Sequence, residues 1–219
     1  MVDSVNVIGR GRVGSALSAR LRERGIELRD GSAELVLICV PDRAIPEVAA
    51  GIEPGPWVAH VSGATPLSGL APHTRRFSVH PLQTFTLDRG PEQLDGAWAA
   101  VTGETDEARE LGRELAETLG LRPFDLNDGA RVLYHAGAAI ASNYLVTLYR
   151  SASRLFEDAD APPEALVPLM TRTIENGFQL TGPIARGDWS VVEAHLGALH
   201  DVRPELEPMY RALAEATAA

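Results

Sequence analysis

Four residues of strand character, Val5-Asn6-Val7-Ile8, run straight into Gly9-Arg10-Gly11-Arg12-Val13-Gly14. A helical pattern, Ser15-Ala16-Leu17-Ser18-Ala19-Arg20-Leu21, follows at once. G-x-G-x-x-G set between a strand and a helix commits the segment to a strand–turn–helix unit. Gly9 permits the tight turn, Gly11 lets a pyrophosphate come up to the backbone, and Gly14 lets the helix lie close to its strand. The helix N-terminus turns free N–H groups and the positive end of its dipole toward the phosphates. The turn therefore predicts dinucleotide contacts at Gly9, Arg10, Gly11, Arg12, Val13 and Gly14. A glycine-rich turn that binds nothing has the same local form.

The helix is expected from about Val13 to Arg24, stopped by Gly25. Ile26-Glu27-Leu28 reads as a short second strand ending at Arg29-Asp30. Asp30 lies 21 positions after Gly9, where an acidic residue takes the ribose hydroxyls of NAD. Arg29, Arg10 or Arg12 would instead suit the 2′-phosphate of NADP, and a plain turn before Gly31-Ser32 also explains Asp30. Only Gly31 to Glu34 separates this strand from the apolar run Leu35 to Val40. A full crossover between parallel strands needs about a dozen residues, so the second helix of an ordinary half-sheet is expected to be missing or reduced to a turn.

Leu35 to Val40 is continuous apolar sequence, as in a strand buried on both faces, and it ends in Pro41-Asp42. A short helix over Asp42–Ala50 follows. Trp57 to Val61 closes in Ser62-Gly63, and Arg76 to Val79 closes in His80-Pro81-Leu82-Gln83. Ala97 to Thr102 and Leu121 to Phe124 read as strands around a helix from Asp106 to Leu119. In open parallel sheets ligands gather outside the carboxyl ends of the strands. Val40, Pro41, Asp42, Ser62 and Gly63 are therefore expected beside the glycine turn as further cofactor contacts.

After about residue 126 the pattern becomes helical throughout. Asn127 or Asp128 caps a stretch to about Asp158, and Pro162-Pro163 opens a helix to about Leu180. Ser190 to Glu193 fits a capping box, with Asp188 as the alternative cap, and Pro204 opens the last helix. The fold class is α/β: a Rossmann-like, mostly parallel sheet over residues 1–126, with a second, all-α domain for substrate and dimerisation over 127–219.

The formal charge of −10 and pI near 5.1 argue against nucleic acid or an anionic membrane as partner. No apolar run spans a bilayer, no secretory signal is evident, and Cys39 stands alone in a strand pattern, so a cytoplasmic protein is expected. The 20 basic residues are all Arg, which excludes any mechanism that needs a lysine. Scattered histidines without metal-ligand spacing predict no metal site.

G-R-G-R-V-G, L-I-C-V-P-D, H-V-S-G-A and V-H-P-L-Q-T-F, taken together, resemble the 6-phosphogluconate-dehydrogenase-like superfamily. Y-H-A-G-A-A-I-A-S-N-Y-L-V and L-T-G-P-I-A-R-G-D resemble the branch with a C-terminal helical domain of unknown function, related to pyrroline-5-carboxylate reductase and deazaflavin-dependent NADP reductases. The resemblance runs from Val5 to about Leu196. It implies an NADP- or NAD-dependent oxidoreductase acting on a small molecule, and a helical domain that builds a homodimer. The short stretch after Asp30 departs from that pattern at the adenosine end. The missing lysine departs from it too, because hydroxyacid dehydrogenases and ketopantoate reductase of the superfamily use one as acid/base.

Hydride transfer to a C=O or C=N carbon needs a proton donor for the heteroatom. His135 is the first candidate, because an imidazole with a pKa near about 6.5 suits acid/base work at neutral pH. Ser142 falls within about 20° of the same helix face, with Asn143 adjacent. A packing face with satisfied polar groups is the plainer alternative. His80, directly after a strand, is the second candidate, with a loop histidine as its alternative, and Tyr134 and Tyr144 are further phenol donors. Arg186, beside Thr181 and Asp188, suits a substrate carboxylate through a bidentate bond, or simply caps the next helix.

Overall fold

The computed structural model describes residues 2–218. Among them, strands β1 (Ser4–Ile8), β2 (Glu27–Leu28), β3 (Leu35–Ile38), β4 (Trp57–His60), β5 (Arg76–Leu82), β6 (Trp98–Gly103) and β7 (Arg122–Asp125) form one sheet, ordered β2-β1-β3-β4-β5-β6-β7. β1 to β5 are mutually parallel, β6 is antiparallel to β5, and β7 is parallel to β6. This is the Rossmann-like, mostly parallel sheet expected.

The helices are α1 (Arg12–Glu23), α2 (Ile45–Ala50), α3 (Asp106–Thr118), α4 (Arg131–Ala139), α5 (Leu145–Asp158), α6 (Leu166–Glu175), α7 (Pro183–Arg186), α8 (Trp189–Val202) and α9 (Glu207–Ala218). The chain divides into two compact units, Met1–Ala141 and Ser142–Ala219. Composition changes earlier, at 126, where β7 has just ended; α4 still belongs to the first unit.

In the first unit all four residues of β3 are buried, because both faces of the sheet are covered. One core, around Leu17, Leu21, Leu37, Phe77 and Leu115, lies on the α1/α3 face. A smaller one, around Val36, Ile38, Ile45 and Val58, lies on the α2 face. β1 has β2 on one side and β3 on the other, so the topological switch falls at the glycine turn. The link from β2 to β3 has no helix, as its length requires. It is tied to β1 instead: the Glu34 carboxylate accepts from Asp3 N at 3.0 Å, and Asn6 Nδ2 donates to Gly31 O at 3.4 Å.

The second unit is helical throughout its described residues. Its buried apolar residues are Leu166, Val192, Leu196, Leu199 and Leu206. Three details differ from the sequence pattern. The helix opened by Pro163 ends at Glu175 rather than near Leu180, because Gly177 and Phe178 take φ of 68° and 60°. Ser190 lies inside α8, whose N-cap position is Asp188. A π-helical turn, Ile140–Tyr144, interrupts the stretch expected as one α-helix.

Candidate active site

Two of the three glycines in the turn are dictated by the chain itself. Gly9 has φ of 115°, and a Cβ there would lie 2.4 Å from Cys39 O. A Cβ on Gly14 would lie 2.1 Å from Gly9 O. Gly11 is different: its backbone is extended, and a Cβ would meet no atom within 4 Å. Gly11 is also the N-cap of α1, which has no side-chain cap hydrogen bond and no acidic residue in its first turn. The donors at that helix end and the space above Gly11 fit a phosphate group.

Beside this end lies a cavity of about 390 Å³, lined by Arg10, Ser15, Ser18, Arg22, Arg29 and Asp30 among others. Arg29 is paired with Glu27 at 2.6 Å. Arg12 starts α1 as an exposed residue outside this lining, and Val13 is half-buried in the first turn. Ser15, Ser18 and Arg22 were not singled out in the sequence, although their 3- and 4-residue spacing marks one helical stripe. Parallel pairing places Val40-Pro41-Asp42 at the carboxyl end of β3, next to β1, and Ser62-Gly63 at that of β4, one strand further on. Val40 is half-buried, Pro41 and Asp42 are exposed, and Ser62 and Gly63 are buried.

The second focus of the site lies over Gly63. A Cβ there would lie 2.6 Å from the His135 ring and 2.9 Å from His80 Nε2, so two histidines close over a position that must be glycine. Their rings meet edge to face at 6.0 Å. His80 Nδ1 and the Tyr134 hydroxyl form a 2.8 Å hydrogen bond. The sequence thus named both histidines, and the fold brings them together. It misplaced His80, however: β5 runs on to Leu82, so His80 lies within the strand. β4 stops two residues earlier, at His60 opposite Ser78, and the His80 side chain therefore stands beside Ser62-Gly63.

Arg131 was not foreseen. It is 1% exposed, and Nη1 donates to Ser78 Oγ at 2.7 Å and to Thr102 Oγ1 at 2.8 Å. Nη2 donates to the Ser62 carbonyl. Asp128, whose carboxylate accepts from Leu67 N at 3.0 Å, is 3.9 Å from Nε. His60, fully buried, accepts from Ser62 N at Nδ1 over 3.2 Å. Nothing in an exposed-looking helical pattern marks an arginine for burial.

Burial, aided by the positive field of Arg131, pushes the His60 pKa down to about 3. Burial, then His135 and Arg131, pushes His80 down to about 4. Burial raises the Tyr134 phenol to about 12, although Arg131 opposes this. At neutral pH the group thus holds a neutral imidazole, a protonated phenol and a guanidinium. Cys39 is pushed up to about 12 by burial, so it is no nucleophile.

The remaining candidates lie in the second unit. Ser142 Oγ and Asn143 Oδ1 are 3.4 Å apart. Their expected alignment with His135 assumed seven α-helical steps. Between them the chain takes a π turn over Ile140–Tyr144, with i→i+5 bonding. Arg186 Nε donates to Asp188 at 2.9 Å and Nη1 to the Thr181 carbonyl at 2.7 Å. Those bonds close a local turn and by themselves explain the Arg186–Thr181 pairing.

A family described as a domain of unknown function, DUF2520, matches residues 97–217, more than half of the sequence. The chain belongs to the DUF2520 family. No curated protein matches the DUF2520 chain. Its fold is shared with BF3122 of Bacteroides fragilis, named a "putative NADP oxidoreductase", at 22% identity and a TM-score of 0.83, over 99% of this chain and 98% of that one. Protein TM1727 of Thermotoga maritima is 23% identical with a TM-score of 0.73, over 98% and 100%. The reductive aminase of Aspergillus terreus, solved with NADPH and ethyl levulinate, is 13% identical with a TM-score of 0.69, over 99% and 93%. Likeness at these identities establishes the fold of the DUF2520 protein: a Rossmann-like sheet with a C-terminal helical domain.

Proposed function

We propose that this DUF2520 protein is an NAD(P)-dependent oxidoreductase that delivers hydride to a small C=O or C=N substrate. The observation that carries this reading is Gly11. Nothing in the chain requires a glycine there, whereas a phosphate approaching the uncapped end of α1 does. The reductive aminase of the same fold was solved with NADPH, which supports the reading. Gly9, Gly11, Gly14 and the first turn of α1 would hold the pyrophosphate. Val40-Pro41-Asp42 and Ser62-Gly63 would flank the nicotinamide half. A bound dinucleotide supplies the hydride; His80, His135 and Tyr134 over Gly63 supply and hold the proton.

Arg10, Arg22 and Arg29, the last paired with Glu27, line the cavity at the far end of the turn, with Asp30 the carboxylate among the lining residues. Three guanidinium groups favour a 2′-phosphate, so NADPH is expected to bind about tenfold tighter than NADH, a difference of about 1.4 kcal/mol. Fluorescence titration of both cofactors tests this. Absence of binding by either at about 1 mM overturns the dinucleotide reading. Replacing Arg10, Arg22 and Arg29 together by Ala should abolish the preference; an unchanged NADPH/NADH ratio would overturn the 2′-phosphate assignment.

A second reading, a nucleotide-binding regulator without turnover, is favoured by the helix-free link after Asp30, which narrows the wall around the adenosine end. His135→Ala and His80→Ala separate the two readings. For an enzyme, both should cut turnover and leave cofactor affinity intact.

We also propose a homodimer built by the second unit. Its core holds five buried apolar residues, while Val167, Leu169, Ile174, Phe178 and Leu180 are each more than half exposed. So small a core cannot hold a helical unit of this size alone. Val167 and Ile174, seven residues apart, share one face of α6. Val167→Glu with Ile174→Glu should turn a dimer into a monomer by light scattering; a dimer that survives the double change excludes this face.

A further inference from the structure

Arg131 is the largest of the fully buried side chains. β4, β5 and β6 bring His60, Ser78 and Thr102 into one row across the sheet. Arg131 enters that row from α4 and bonds Ser78, Thr102 and the Ser62 carbonyl. Among the described residues no carboxylate reaches it within hydrogen-bond distance, and its Nε is buried without a partner. A guanidinium buried so deeply keeps its charge. Tyr134 and His135 follow three and four positions later, on the same helix face. Keyed at Arg131, α4 brings His135 over Gly63 and the Tyr134 hydroxyl onto His80 Nδ1.

We propose that Arg131 is a positioning residue for the niche: it fixes the Tyr134–His80 hydrogen bond in one direction, so that neutral His80 carries its proton on Nε2, above Gly63. The inference rests on the niche being the site of proton transfer. The argument is electrostatic. A fixed cation beside a phenol draws the oxygen lone pairs toward itself and turns the O–H away, here toward His80 Nδ1. The charged or titratable groups facing His80 are Arg131, Tyr134 and His135 on α4, Asp42 after β3, and His60 on β4. Of these, Asp42 alone favours an imidazolium, and burial outweighs it. The Ser62-Gly63 floor is held just as firmly: Ser62 N donates to His60 Nδ1, Ser62 O accepts from Arg131, and Ser62 Oγ accepts from Thr65 N at 2.9 Å.

In this arrangement a proton that leaves Nε2 for a substrate nitrogen or oxygen is replaced at Nδ1 by the phenol proton. The phenolate that remains lies in the field of Arg131 until water returns the proton. No charge is created without a partner, and no lysine is needed.

Long-range ¹H–¹⁵N spectra of histidine-labelled protein test the assignment without turnover. His80 should appear as the Nε2–H tautomer at pH 7 and begin to titrate only near pH 4. In Arg131→Met its titration should move up from about 4, with burial still holding it below the ordinary histidine value near about 6.5, and both tautomers should be populated. NADPH should still bind, because Arg131 shares no partner with the glycine turn itself. Should Arg131→Met fail to fold, Tyr134→Phe decides: loss of the phenol should mix the tautomers. An Nδ1–H tautomer in the unmodified protein, an unchanged His80 in folded Arg131→Met, or a pure Nε2–H tautomer in Tyr134→Phe overturns the proposal. Failure of the unmodified protein to bind NADPH counts against the cofactor reading alone.

Discussion

Gly14→Ala is expected to destabilise the first unit by about 3 kcal/mol, while Gly11→Ala leaves its stability within about 1 kcal/mol. The two glycines are three residues apart in one motif, but they answer to different constraints. A methyl group on Gly14 would lie 2.1 Å from Gly9 O, 3.0 Å from Gly9 C and 3.1 Å from Cys39 Cβ. Two of those atoms are backbone, in a turn that is already held open by the positive φ of Gly9. Relief requires α1 to move off the sheet, where Leu17 and Leu21 are fully buried. For a chain of this length the loss corresponds to roughly 6–12 °C in thermal midpoint. At Gly11 the methyl group meets nothing, and the residual cost is that of Ala against Gly at a helix N-cap. Cofactor binding should respond in the opposite order. Gly11→Ala should weaken NADPH by about 100-fold, or about 2.7 kcal/mol, because the methyl group occupies the approach of the pyrophosphate. Thermal melts with and without NADPH measure both effects. Equal binding by Gly11→Ala and the unmodified protein would refute the phosphate site.

The glycine turn, the missing second helix and the buried β3 run were all legible in the sequence, because each depends on a local constraint: positive φ, link length, or burial on both faces. His80 and His135 were legible as chemistry but not as a pair. They are 55 positions apart, and what unites them is the row register of β4 and β5. Arg131 was illegible for a stronger reason. Its partners Ser62, Ser78 and Thr102 come from the loop after β4, from β5 and from β6, and no pattern near residue 131 announces a polar row waiting in the sheet. The π turn over Ile140–Tyr144 was illegible too, because one extra residue per turn leaves no mark in hydrophobic periodicity. Asp30 arrived at the expected distance and does line the cavity, but Ser15, Ser18 and Arg22 across from it were visible only as a helical stripe.

The first unit is expected to lose roughly 2–4 kcal/mol of stability between pH 7 and pH 5, well before its carboxylates titrate. His60 and His80 are held down to about 3 and about 4 in the folded protein, against about 6.5 in an unfolded chain. Both folded values lie below the unfolded one, so between them the unfolded state binds more protons. The stability is fully present above about pH 6.5 and is lost as pH falls toward 4. Each histidine contributes a slope of up to about 1.4 kcal/mol per pH unit, and half-buried His80 less than fully buried His60. Paired carboxylates of this unit such as Asp95 on Arg20 and Glu27 on Arg29 are held below their ordinary values, so their loss comes at lower pH. Urea melts at pH 5, 6, 7 and 8 separate the two windows. His60→Gln removes the larger titration, and its stability should vary with pH about half as steeply. If the slope is the same in His60→Gln, the imidazole is not what acid attacks. Above about pH 5 the niche keeps a neutral His80 and a protonated Tyr134, so the proton donor proposed above would be in its working form at neutral pH.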